Sequence, residues 1–233
     1  MGFNLDFRLL SNGYLIERYD LAVRQRPFEF VISVDGATAN FHEQNRKKAS
    51  FERAKKAVNW LKDRKINTTL QYCINKSNIH QLEEIIKLAE DLNVTALILL
   101  GTIRTGENKD LVLDAHQKRK IVDRIRAIKT FIDVYIAPSI LISKQEIFCN
   151  HIEGLSNLEL NPKGEIVYCC NTIRYGAVVG FVKDNTLSDL YKKTYEYSDY
   201  LKRIRKKMLQ NSYFPDWFDN CDFCSNILKD KIL

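Results

Sequence analysis

The chain has 233 residues, enough to bury a substantial hydrophobic core in one large domain or two smaller ones. Hydrophobic residues make up 45% of it and charged residues 28%, an ordinary composition for a soluble globular protein. No apolar run approaches the roughly 20 residues that span a bilayer, which excludes a membrane-spanning protein. The net charge is +7, but Lys and Arg are spread along predicted helices, so we do not expect a nucleic-acid partner.

The first half of the chain alternates strand patterns with helix patterns. The residue patterns predict strands over residues 5–10 and 28–34 and helices over residues 14–25 and 51–64, with Ser50 capping the last of these. The same unit then repeats, with strands at 68–74, 95–100 and 131–137, and helices at 79–92, capped by Asn78, and at 110–129. This rhythm predicts right-handed βαβ units and a parallel sheet.

The composition changes after Pro138, and we predict a domain boundary that separates residues 1–138 from residues 139–233. A tight turn at 161–164 joins two short strand patterns into a hairpin. A further strand at 178–182 and a helix at 187–207 follow. Because such a small α+β unit has a thin core, a bound metal would stabilise it.

Four cysteines in this second part have the spacing of a metal site. Cys149 and Cys169 flank the hairpin, and Cys221 and Cys224 form a C-x-x-C near the end of the chain. Four thiolates suit an iron–sulfur cluster or a structural zinc ion, and we favour iron–sulfur. Buried thiols or disulfides are the alternatives. The residues show no leader segment, which predicts a reducing, cytoplasmic compartment where disulfides are rare.

Polar side chains also occur where the predicted strands end. Ser11, Ser33 and Asp35 would face the carboxyl edge of a parallel sheet, the usual position of ligands in such folds. A role in turns or caps is the competing interpretation for all three residues. Arg46, in the polar loop that follows, is either a ligand contact or a solvated side chain. The four histidines share no spacing that indicates a site, and surface or helix positions explain them.

The order Ser11-Asn12-Gly13, Ser33-Val34-Asp35-Gly36, His42 and Arg46 resembles the middle and C-terminal part of radical S-adenosylmethionine (SAM) enzymes. The cysteine pattern resembles the twitch domain, a shortened relative of the SPASM domain that binds one auxiliary [4Fe–4S] cluster. The resemblance implies an incomplete parallel (β/α) barrel over residues 1–138. It also implies that Ser11, Ser33, Asp35 and Arg46 contact SAM, and that the metal ligands are Cys149, Cys169, Cys221 and Cys224.

The sequence departs from that family because it has no C-x-x-x-C-x-x-C motif for the cluster that cleaves SAM. Three interpretations stay open. The chain is the C-terminal portion of a radical SAM enzyme that acts on a peptide, sugar or small molecule. It is then either a truncated product or one half of a split protein, whose complementary N-terminal half carries the missing motif. Alternatively, it is a catalytically inactive relative that binds a substrate or peptide, or it is an unrelated α/β protein with a structural zinc site.

Overall fold

The computed structural model describes residues 8–19, 29–103, 110–141, 149–153, 158–169, 177–210, 221, 223, 224 and 227. The chain divides into two compact units, Met1–Ile140 and Leu141–Leu233. Half of the helix predicted over residues 14–25 lies outside the described residues, and its described part holds a short 3-10 helix, Ile16–Tyr19. No helix in the described ranges is long and apolar enough to cross a membrane.

The first unit contains a five-stranded parallel sheet with the strands in sequence order. Each strand pairs in parallel with its neighbour, as the alternation of strand and helix patterns predicts. The strands are β1 (Arg8–Ser11), β2 (Glu29–Val34), β3 (Thr68–Ile74), β4 (Ala96–Gly101) and β5 (Asp133–Ile136). The prediction of an incomplete parallel (β/α) barrel is confirmed.

Helices cover one face of this sheet. They are α1 (Ala39–His42), α2 (Ser50–Asp63), α3 (Leu82–Asp91) and α4 (Ala115–Ala127), and a 3-10 turn at Ile79–Gln81 precedes α3. The apolar stripes of α2 and α3 are buried against alternate residues of the strands, which makes one continuous hydrophobic core. Its central, almost fully buried members are Ile32, Leu61, Leu70, Tyr72, Leu82, Ile85, Leu97 and Leu99.

The other face of the sheet, which we call the inner face, is more polar and less deeply buried. Residues that pair across parallel strands project from the same face, so the register defines it from β2 to β4. Ser33 and Gln71 are half-buried partners on this face, and Cys73 and Leu100 form the next such pair. The inner face therefore presents polar groups near the carboxyl ends of the strands.

Two predicted helix caps are wrong. Ser50 is the first residue of α2, and Ala49 occupies the cap position. Ala49 has a left-handed backbone (φ 61°), and α2 has no side-chain cap bond. Asn78 precedes the 3-10 turn but gives it no side-chain cap, because its amide bonds to the loop after β3 instead. The last helix of the unit, predicted from residue 110, begins at Ala115, where Asp114 and Gln117 form a reciprocal capping box.

The second unit contains a three-stranded antiparallel sheet and a long helix. The sheet is formed by β6 (Glu159–Leu160), β7 (Glu165–Val167) and β8 (Val178–Phe181), and the short α5 (Asn150–Glu153) precedes it. The predicted turn is present, with Gly164 at φ 80°. The helix α6 (Leu187–Gln210) buries Leu190, Thr194, Ser198 and Leu201 on one stripe.

Candidate functional site

Asp35 and Arg46 form a two-contact ion pair at the carboxyl end of β2. Asp35 directly follows the strand, and Arg46 lies in the loop between α1 and α2. The Arg46 Nε contacts one carboxylate oxygen, and its second terminal nitrogen donates to the other at 3.1 Å. The side chains are 21% and 25% exposed, so the pair is accessible to a ligand. The sequence predicted that Arg46 either contacts a ligand or is solvated, and it did not predict the pairing of Arg46 with Asp35.

His42 lies beside this pair at the end of α1, one of the surface or helix positions expected for the histidines, but its burial was not predicted. Its side chain is only 1% exposed, and its ring packs against Phe51 at a centroid distance of 5.5 Å. The backbone N–H of Asp35 donates to His42 Nδ1 at 3.2 Å. Burial lowers the pKa of His42, and the positive charge of Arg46 lowers it further. His42 is therefore a neutral hydrogen-bond acceptor.

Asn78 fixes the other side of Asp35. Its amide nitrogen donates to the backbone oxygen of Cys73 at 2.9 Å and to that of Asp35 at 3.5 Å. Its amide oxygen accepts from the backbone N–H of Asn75 at 2.8 Å. Tyr72, fully buried, donates its hydroxyl to the Asn78 backbone oxygen at 3.0 Å. These bonds join the ends of β2 and β3, so Asp35 is held through its backbone as well as its carboxylate.

Ser33 and Cys73 lie on the inner face on adjacent strands. The thiol of Cys73 lies 3.3 Å from the hydroxyl of Thr102, which follows β4. Burial raises the pKa of this thiol, and the negative charge of Asp35 also raises it, whereas Arg46 lowers it. Cys73 is thus within electrostatic range of the ion pair.

Ser11 is not part of this group. It pairs with Ile32, whose side chain is in the core on the helix-covered face, so Ser11 projects from that face as well. Its hydroxyl accepts the backbone N–H of Gly13 at 3.1 Å. Gly13 has φ 73°, and a Cβ there would lie 2.8 Å from the Cβ of Ala57. The turn after β1 therefore packs tightly on α2, and Ser11 supports that turn.

The chemistry of the ion pair suits a ligand with hydroxyl and carboxylate groups. Two Arg46 nitrogens face Asp35, but a guanidinium has five N–H donors, so others can bind an anion. The ionised Asp35 carboxylate has acceptor capacity left for hydroxyl groups. A site of this kind, at the carboxyl ends of parallel strands, is the typical ligand position in β/α folds.

Three of the four predicted metal ligands lie in one hydrophobic cluster of the second unit. Cys224 is a buried member of it, and Cys149 and Cys169 pack against it as half-buried side chains. Cys221 and Cys224 both have helical backbone, and a spacing of three places them on the same side of a helix.

Tyr168 lies at the centre of this region. It is fully buried, stacks on Tyr197 at a centroid distance of 5.5 Å, and its hydroxyl lies 3.3 Å from that of Ser198. Burial raises its pKa, the hydrogen bond with Ser198 lowers it, and the thiols of Cys224, Cys149 and Cys169 raise it again.

These side chains are not arranged as a finished metal site. In the ranges that the structure describes, no group of three or more His, Cys, Asp or Glu could hold a metal ion as placed. The donor chemistry fits a sulfur-bound metal, since the candidate ligands are thiols and three of them lie in one hydrophobic cluster. The four-cysteine site stays a prediction.

Comparison with known proteins identifies the architecture of the first unit. The model of the Radical SAM superfamily matches residues 2–89, which extend from before β1 into α3 and include the Asp35–Arg46 pair. The first unit has the fold of a radical SAM partial barrel. No curated protein matches the chain significantly.

Solved structures of radical SAM enzymes share this fold. Native anSMEcpe with bound AdoMet is 16% identical, with a TM-score of 0.59 over 84% of this chain and 60% of that chain. Its complex with AdoMet and a Kp18Cys peptide has a TM-score of 0.58 at 15% identity, over 84% and 61%. SuiB from Streptococcus suis bound to S-adenosylmethionine has a TM-score of 0.59 at 10% identity, over 79% and 47%. The chain thus spans about 60% of the length of anSMEcpe.

In this radical SAM type of sheet, Asp35 and Arg46 lie at the carboxyl ends of the strands, and the neighbouring Ser33 projects from the inner face. The structure therefore brings together three of the four residues predicted to contact SAM. It places Ser11 on the opposite face.

Proposed function

We propose that this chain is part of a radical SAM enzyme that modifies a substrate by hydrogen-atom abstraction. The observation that carries the proposal is the accessible Asp35–Arg46 pair at the carboxyl edge of a radical SAM type of sheet. The similarity to anSMEcpe, whose structure was solved with a bound peptide, supports a peptide as the substrate.

In this proposal Ser33, Asp35 and Arg46 bind SAM. The Asp35 carboxylate accepts hydrogen bonds from the ribose hydroxyls, and the outer Arg46 N–H groups donate to the carboxylate of the methionine part. Because Arg46 is already held by Asp35, little side-chain freedom is lost on binding. Ser11, which bonds to Gly13 on the other face, has a turn role instead.

We also propose that Cys149, Cys169, Cys221 and Cys224 hold an auxiliary [4Fe–4S] cluster. Their sulfur chemistry and the convergence of three of them on Tyr168 support this ligand set. Such a cluster, ligated by four thiolates, supplies electron transfer or structural stability, since no iron position is left open to a substrate.

The cluster that cleaves SAM does not fit the residues of this chain, because these 233 residues contain no C-x-x-x-C-x-x-C motif. We propose that a complementary segment, in the same protein or a separate one, supplies that site as a partner. The DNA upstream of the Met1 codon tests this proposal. An adjoining reading frame that encodes the motif is expected, and a sequenced locus without one would contradict it.

SAM binding tests the site directly. The measurement is titration calorimetry on the purified chain, with SAM up to millimolar concentration. We expect the wild type to bind SAM. Asp35→Asn and Arg46→Ala should each weaken binding about tenfold, because each removes a charge-assisted hydrogen bond. Arg124→Ala is the matched control, because Arg124 makes a similar two-contact pair with Glu83 between α4 and α3, away from the sheet's inner face. No binding by wild type, or equal affinity in all variants, would contradict the proposal.

A catalytically inactive relative that binds a peptide is the second candidate, and the missing motif favours it. The discriminating experiment adds the complementary segment to this chain under reducing conditions with SAM. Release of 5′-deoxyadenosine supports the enzyme, whereas peptide binding without SAM cleavage supports the inactive relative.

A further inference from the structure

The position of Asp35 depends on an acceptor that the proposed ligand does not touch. Its backbone N–H donates to Nδ1 of His42, seven residues later in the chain. The two residues are joined by a tightly packed segment, since a Cβ on Gly36 would lie 2.6 Å from the backbone nitrogen of His42. His42 is 1% exposed and its ring lies against Phe51, so it cannot turn away without disturbing α2.

We propose that His42 is a positioning residue: by accepting the Asp35 N–H, it sets the direction in which the Asp35–Arg46 pair faces its ligand. The role in ligand binding rests on the proposed binding of SAM at this pair. Asn78 holds the Asp35 backbone oxygen, so His42 and Asn78 together clamp the peptide groups on both sides of the carboxylate.

The bond requires a neutral imidazole with its proton on Nε2. The charged groups that face His42 are Arg46, Asp35 and Glu43, and the two carboxylates favour the imidazolium. Burial and Arg46 oppose it, and their effect is the larger because the pKa is lowered overall. Protonation at Nδ1 would place one N–H against another and release Asp35 from this contact.

Two matched substitutions separate the acceptor from the general packing of the site. His42→Asn can place an amide oxygen where Nδ1 lies, whereas His42→Gln places its amide near the position of Nε2. NMR on the full chain without SAM measures hydrogen exchange at the Asp35 amide and the Arg46 Nε–H resonance. We expect exchange at Asp35 to accelerate about tenfold in His42→Gln and to stay near the wild-type rate in His42→Asn. The Arg46 resonance should shift in the Gln variant.

A pH series adds a test whose main readout, on the wild type, does not depend on a variant folding. Protection of the Asp35 amide, corrected for intrinsic exchange, should fall as His42 becomes protonated and should not follow pH in His42→Asn. Equal protection in the two variants, or wild-type protection that does not change while the His42 ring signals titrate, would overturn the positioning role.

SAM affinity in the same variants distinguishes a failure of this role from a failure of the proposed function. A loss of about threefold to tenfold in His42→Gln with recovery in His42→Asn is expected. If wild type does not bind SAM but the exchange pattern holds, the proposed function fails and His42 still fixes Asp35. If His42→Gln loses protection at Asp35 and binds SAM normally, the role of His42 in ligand binding is overturned.

Discussion

At the scale of single residues, Asp35 makes three kinds of contact at the end of β2. Arg46 pairs with its carboxylate, His42 accepts its N–H, and Asn78 donates to its backbone oxygen. Arg46 lies in the loop after α1, His42 is the last residue of α1, and Asn78 lies in the loop after β3. His42 and Asn78 are each held by further contacts. The residue is thereby preoriented, so binding a ligand costs little side-chain entropy.

Replacement of Arg46 by Lys tests the two-contact geometry. A lysine ammonium is a point donor and cannot pair with both carboxylate oxygens as a guanidinium does. We expect Arg46→Lys to weaken SAM binding about as much as Arg46→Ala, and to reduce the free energy of unfolding by about 1 kcal/mol or less, because the pair is partly solvated. Calorimetry and urea unfolding measure the two effects. Full SAM affinity in Arg46→Lys would contradict the geometry.

The lowered pKa of His42 predicts how stability depends on pH. Burial keeps the folded-state pKa below the usual value of about 6.5, so between these two pKa values the unfolded chain binds more protons. Stability of the first unit should therefore fall as the pH drops below about 6.5, and this contribution should level off below the folded pKa.

Hydrogen exchange at the core amide of Leu70 measures the stability of the first unit as the pH changes. His42→Asn is the control, because this variant has no histidine at position 42 to take up a proton. A wild type and an Asn variant with the same dependence between pH 7.5 and 5 would show that His42 is not held neutral.

The sequence could indicate Asp35, because a polar residue that follows a buried strand stands out in the pattern. Arg46 and His42 lie further along the polar loop and were indicated by the resemblance to radical SAM enzymes. The burial of His42 could not be predicted, because it depends on α2 packing Phe51 over the ring. Its contact with Asp35 could not be predicted either, because a spacing of seven residues has no fixed structural meaning.

At the scale of secondary-structure elements, strands and helix stripes followed hydrophobic periodicity closely. The strand at Thr68–Ile74 has the predicted bounds, and α2, within the predicted helix 51–64, buries Phe51, Ala54, Val58 and Leu61 at helical spacing. Caps were less predictable, because a polar side chain before a helix has other partners to choose from. Asn78 bonds to Asn75 and Cys73, so the end of β3 takes the amide that a cap would need.

Asp114 and Ser50 lie at the starts of two helices, and we expect their replacement by alanine to change stability differently. Asp114→Ala removes a capping box and should destabilise α4 by about 1 kcal/mol. Ser50→Ala should be neutral or slightly stabilising, because the buried Ser50 hydroxyl has no hydrogen-bond partner within the described residues. Thermal melting followed by circular dichroism compares them. An equal loss in both variants would mean that Ser50 does cap α2.

At the scale of the whole molecule, the sequence predicted the parallel sheet of the first unit and the hairpin of the second. The family model and the solved structures support the first, whereas the proposal that the second unit binds a cluster rests on cysteine spacing and on the contacts around Tyr168. Spacing alone cannot place sulfur atoms, because Cys149, Cys169 and the C-x-x-C lie far apart in the sequence and only tertiary packing could bring them together.

Cysteine substitutions test the ligand set in the second unit. Cys221→Ala and Cys224→Ala are each expected to lower the iron content of the reconstituted chain and to lower the melting temperature of the second unit, since metal binding is coupled to folding. Cys73→Ala is the control, because Cys73 lies on the sheet of the first unit. Iron content that falls equally in the control would indicate adventitious binding.

The most direct test is the metal content of the wild-type chain after anaerobic reconstitution with iron and sulfide, together with its EPR and Mössbauer spectra. We predict about four irons per chain and the spectra of a single [4Fe–4S] cluster. One zinc ion per chain, with no iron retained, would contradict this and favour an α/β protein with a structural zinc site.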